Sequence, residues 1–161
     1  MIGATVKKID WKNLSYYDFI GFVAVTAILL FVLYFGWLWH VTYDYRIQMR
    51  DQMVGMYQQL PEPLPVVSED YGVHQRWLVF YIDGIKILNK PQPENVINEY
   101  KKALEKEGWA AEREYVRNDK NKTYGINMRK GEFVFSVSAR ENRDSINIHL
   151  IKRDWIYNKG F

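Results

Sequence analysis

Residues 76–109 read RWLVFYIDGIKILNKPQPENVINEYKKALEKEGW. The first thirteen, Arg76 to Leu88, are two apolar, β-prone runs on either side of Asp83-Gly84. An Asp-Gly pair between such runs predicts a two-residue hairpin, because both turn positions need positive φ. Trp77 to Ile82 is almost continuously apolar, which predicts a central strand covered on both faces. After Asn89-Lys90-Pro91-Gln92 the period changes. Val96, Ile97, Tyr100, Ala103 and Leu104 recur at helical spacing on one face, with Lys101, Lys102, Glu105 and Lys106 off it. Pro93 suits the first helical position, and Gly108 suits the left-handed residue that closes a helix. Trp109 then turns the chain into its next segment.

Downstream the period is two. Residues 110–117, 123–130, 132–140 and 145–153 are separated by Asn118 to Lys122, Lys130-Gly131 and Asn142-Arg143-Asp144. Phe133, Phe135, Val137 and Ala139 alternate with polar neighbours, broken only by Val134. Ile146, Ile148 and Leu150 alternate with Asn147 and His149. This predicts half-buried antiparallel strands. The expected class is α+β: one helix packed on an antiparallel sheet, within residues 73–153.

Upstream lies a membrane signal. Residues 19–43, FIGFVAVTAILLFVLYFGWLWHVTY, contain no Asp, Glu, Lys or Arg. At about 1.5 Å rise per residue they can cross a hydrocarbon core of about 30 Å. Trp11, Tyr16 and Tyr17 precede the segment, and Trp37, Trp39 and Tyr43 close it, as interfacial anchors would. The exit carries no small-residue cleavage pattern, so the expectation is an uncleaved single-pass anchor. Lys7, Lys8 and Lys12 before it, against Arg46 and Arg50 after it, place residues 1–18 in the cytoplasm and the remaining domain outside. Residues 44–60 continue as a juxtamembrane helix. Its stripe Tyr45, Met49, Met53, Met56, Leu60 needs a cover, supplied by the domain itself, a second copy or another membrane protein. Pro61-Glu62-Pro63-Leu64-Pro65 opens a spacer over 61–72, and residues 154–161 form an aromatic tail.

The run Val96, Ile97, Tyr100, Leu104, Gly108, Trp109, followed by short strands with a Lys130-Gly131 turn, resembles a class of small membrane-anchored or lipoprotein-like envelope domains. The resemblance covers residues 77–153. It implies an α+β envelope domain and carries over no reactive residue. The chain departs from that class in having no cysteine to lipidate and an extra hairpin.

Composition excludes several chemistries. With Cys 0 there is no disulfide, thiolate site or cysteine nucleophile. Lys+Arg 22 against Asp+Glu 19 are interspersed, unlike the one-sided field of a nucleic-acid binder. His40, His74 and His149 show no metal-ligand spacing. Glu112 and Glu114 share a strand face without a third group. No catalytic residue, cofactor, metal or small-molecule ligand is inferred. The expected function is non-enzymatic: a membrane-anchored protein whose partners are the lipid bilayer and another protein, as an accessory subunit of a larger membrane assembly. Met49, Met53, Met56, Leu60, Trp155, Tyr157 and Phe161 are the candidate partner contacts. The alternative is a membrane-anchored ligand-binding or sensor domain.

Overall fold

The computed structural model describes residues 16–118 and 121–159. Trp11, the three N-terminal lysines and Phe161 lie outside them. The chain divides into two compact units, Met1–Asp44 and Tyr45–Phe161.

The first unit is helix α1, Tyr16–Val41. It is long and apolar enough to cross a membrane, about 39 Å over its 26 residues, and none of its residues is buried. Its aromatic rings are exposed at both ends: Tyr16 and Tyr17 at the start, Trp37 and Trp39 near the close. The helix ends two residues before the expected Tyr43. The Thr42 hydroxyl donates to the Leu38 carbonyl at 2.8 Å, where a side chain competes with the helical ladder. Exposed Tyr43 then opens α2, Tyr43–Gln58.

The second unit holds α2 from Tyr45 onward, strands β1 (Val66–Arg76) and β2 (Val79–Leu88), helix α3 (Pro93–Lys106), strands β3 (Ala110–Asn118), β4 (Lys122–Lys130), β5 (Phe133–Arg140) and β6 (Ser145–Lys152), and the short α4 (Trp155–Asn158). The strands form one antiparallel sheet in the order β1-β2-β6-β5-β4-β3. β6 closes the sheet by pairing with β2, so the hairpin and the four-strand meander share one core.

α3 forms as expected. Pro93 sits in its first turn. Gly108 at φ +82 gives a Schellman close, with the Gly108 amide donating to Glu105 O and the Trp109 amide to Leu104 O, both at 3.0 Å. Leu104 and Trp109 enter the core together. α3 packs on β3, β4 and β5.

Four expectations are corrected. The hairpin turns at Trp77-Leu78, because Arg76 pairs with Val79. Asp83 and Gly84 lie inside β2. Carrying the strand through them aligns Phe80, Ile82, Gly84, Lys86 and Leu88 on the core face, more burial than two short strands could provide. Gly84 serves space there: a Cβ would stand 3.0 Å from both Ile148 Cδ1 and Tyr71 Cβ. β2 is consequently covered on one face only, leaving Ile85 and Ile87 exposed. Next, the spacer is shorter than 61–72, since β1 begins at Val66. Leu60 and Leu64 pack on the core instead of spanning water.

A third correction concerns the layer. Two helices, not one, cover the sheet. Met53 is 0% exposed and Met49 6%, in one cluster with Ile82, Tyr100 and Ile148. α2 reaches from Asp154, which accepts from the Tyr45 hydroxyl at 3.3 Å, to Glu69 on β1, which accepts from the Tyr57 hydroxyl. The methionine stripe is thus part of this domain's own core. Met49 and Met53 are not available to a partner, and Met56 and Leu60 are partly buried against the same cluster. Finally, a register shift between Ala111 and Arg113 separates Glu112 from Glu114. Glu112 pairs with Arg129 and Arg153, while Glu114 pairs with Lys101 of α3.

Candidate functional site

The helices cover one face of the sheet; register dictates what the other face presents. Besides a row through Arg129, Val134, Ile151, Tyr81 and His74, in which Val134 is buried, three rows of side chains cross it. One runs Arg117, Thr123, Arg140. The next runs Tyr115, Gly125, Ser138, Asn147, Ile85, Asp70. The third runs Arg113, Asn127, Ser136, His149, Asp83, Gly72. Neighbouring strands lie about 4.8 Å apart, so these groups form one continuous surface. Its middle is built of small polar side chains. Arginines gather at the β3 side, and carboxylates and histidines at the β1 side.

At the β3 side, the Tyr115 ring occupies the space a side chain on Gly125 would need. The guanidinium carbons of Arg113 and Arg117 lie 5.8 and 5.3 Å from the ring centroid, a cation on either side of one aromatic. Arg140 donates to Thr123 Oγ1 at 3.3 Å.

At the β1 side, Tyr81 is flanked by two imidazoles. His74 stacks on it at 5.2 Å, and His149 lies 5.7 Å away. His149 Nδ1 is 2.6 Å from Asp83 Oδ1. A shallow groove of about 590 Å³ opens here, with Asp70, His74, Asp83, Ile85 and Asn147 in its lining. The Asp83–His149 pair was hidden in the sequence because Asp-Gly looks like a turn. Reading Asp83 as a strand residue on the polar side of β2 would have exposed it. Among the described residues no group of three or more His, Asp or Glu is placed to hold a metal ion.

Beneath the sheet, a polar clamp fastens α2 and the proline segment. Lys86 is 5% exposed on the core face of β2. Its Nζ reaches Glu62 Oε1 at 2.6 Å and Glu69 Oε1 at 3.3 Å, and lies 5.8 Å from the Tyr57 ring. Burial and the bond to Glu69 push the Tyr57 phenol well above the usual tyrosine range. Tyr100 is raised by its burial and then by Glu62 and Glu69. Tyr45 is pushed up to about 12 by burial and by Asp154. Charge at this clamp holds tertiary structure together.

No protein-family model, curated protein or solved structure matches this chain.

Trp155 is exposed. Tyr157 is half-buried, with the Arg153 guanidinium 5.6 Å from its ring, and its amide donates to Asp154 Oδ1 at 3.1 Å. The tail meets the stripe at its first residue, since Asp154 accepts from both the Tyr45 hydroxyl and the Tyr157 amide. The arginine pair on β3 was missed because its charges are diluted by acidic neighbours in sequence. Only the bulge at Glu112 and the ion pair Glu114–Lys101 remove those neighbours from the scene.

Proposed function

We propose that the chain is a non-enzymatic, single-pass membrane-anchored protein whose extracytoplasmic α+β domain binds another protein, as an accessory subunit of a larger membrane assembly. One observation carries this reading. The sheet is roofed on one side by its own α2 and α3, yet its other side keeps a continuous face with exposed Ile85, paired charges and an aromatic platform at Tyr115. A face of mixed polar, aromatic and arginine side chains has the composition of a protein-binding patch. The anchor is supported by α1, an apolar helix with no buried residue and long enough to cross a bilayer.

Native mass spectrometry of the detergent-extracted protein tests the assembly. A stoichiometric polypeptide partner is expected; a bare monomer at gentle activation would overturn it. Protease treatment of intact spheroplasts tests orientation, with cleavage in residues 66–159 expected. A protected domain would place it on the cytoplasmic side.

A further inference from the structure

We propose that the free edge of β3 receives an extended polypeptide segment of alternating acidic and apolar residues, added as a seventh strand. This deepens the protein-binding reading and rests on it. Among the described residues, β3 ends the sheet and pairs only with β4. All its residues except Tyr115 are exposed. Past the bulge at Glu112, residues 113–118 keep regular register, a run long enough for a strand to be added through main-chain hydrogen bonds.

The two sides of this edge differ, and the difference selects the partner. Toward the open face stand Arg113 and Arg117. The nearby carboxylates are engaged elsewhere: Glu112 with Arg129 at 3.7 Å and Arg153 at 3.4 Å, and Glu114 with Lys101 at 2.5 Å. Among the described residues no carboxylate lies within 4 Å of either guanidinium. Side chains directly opposite on an added strand would meet those cations, and opposite charges there are favourable. Toward the helix side, Val116 is 54% exposed. It borders a groove of about 260 Å³ shared with Ile97 and Asn98 of α3 and with Tyr124. Alternate side chains of the added strand fall there, and apolar ones fit Val116 and Ile97. Glu94 and Glu114 on the same side disfavour acids.

The edge also rejects competitors. Antiparallel self-pairing of two copies about Tyr115 would set Arg113 opposite Arg117, placing like charges together. The other edge, β1, has its helix side occupied: the Tyr57 ring lies tilted against Tyr71 at 4.7 Å and its hydroxyl donates to Glu69. A nucleic acid laid across the open face would meet Asp70 and Asp83.

The test uses the full chain in detergent micelles and fluorescein-labelled nonapeptides. An alternating valine–glutamate peptide is expected to bind, and its valine–lysine counterpart to bind at least about tenfold more weakly. Arg113→Glu with Arg117→Glu should exchange that preference, so that gain of the lysine peptide reports an intact fold. Arg113→Gln with Arg117→Gln, which adds no charge, should weaken the glutamate peptide alone. Peptides N-methylated at every valine or at every glutamate separate strand addition from simple attraction. One of the two should lose binding, since only alternate amides face β3. Equal binding of both methylated peptides would overturn the proposal. So would an unchanged preference in the charge-reversed chain, or binding of an oligothymidylate or phosphatidylglycerol vesicles in place of the peptide. A native partner that survives the charge reversal would leave the interaction role standing and remove β3 from it.

Discussion

Met53→Ala separates a helix that belongs to the domain from one that waits for a partner. Met53 is 0% exposed, within the cluster that includes Ile82 and Tyr100. Truncation removes the side chain beyond Cβ and leaves a cavity between α2 and the sheet. Such Met→Ala changes cost about 2–5 kcal/mol. Since α2 is held at both ends, by Tyr45–Asp154 and Tyr57–Glu69, collapse into the void is limited, and about 3 kcal/mol is expected. A domain of this size is stable by about 5–15 kcal/mol, and each kcal/mol shifts Tm by about 4 °C. A fall of about 12 °C follows. The assay is thermal and urea unfolding of the full chain in micelles, read by near-ultraviolet circular dichroism. Met56→Ala, at a partly buried position, is the internal control and should cost clearly less. If Met53→Ala unfolds within 0.5 kcal/mol of the parent, α2 is not part of the core, and the two-helix layer is wrong.

Three further outcomes are expected. Lys86→Met should destabilise by about 2 kcal/mol, because it strands Glu69 beside the Tyr57 ring; adding Glu69→Gln should recover part of that loss in a double-mutant cycle, and strict additivity would refute the clamp. Gly125→Ala should cost about 1–3 kcal/mol by overpacking against Tyr115, and Tyr115→Ala in the same chain should remove most of that cost in urea titrations. Stability should fall above about pH 10: below it Tyr57 and Tyr100 are protonated in both states, whereas above it the unfolded chain releases protons that the folded chain retains. Tyr57→Phe should remove about 1.4 kcal/mol of the stability lost between pH 9 and 11, measured as chemical denaturation at the two ends of that range.

What could be read along the chain was whatever depends on local spacing. The apolar helix, the amphipathic face of α3 with its Gly108 close, and the period of two in β5 and β6 each follow from neighbours within a few residues. These patterns need only know which side is wet. The turn of the first hairpin was misplaced because Asp83-Gly84 has the composition of a turn. The deciding contacts, Ile148 and Tyr71 against Gly84 and His149 against Asp83, come from strands distant in sequence or on the far side of the turn.

The methionine stripe shows the same division. Its spacing by itself determined that α2 carries a narrow apolar face in need of cover. Only the tertiary structure decided that the cover is this protein's own sheet, since burial is a property of two surfaces and sequence displays one. Likewise, the count of charges determined a nearly neutral, mixed surface. The strand register and one bulge sorted those charges, sending Glu112 and Glu114 to different cations and leaving Arg113 and Arg117 on either side of Tyr115 at the edge strand.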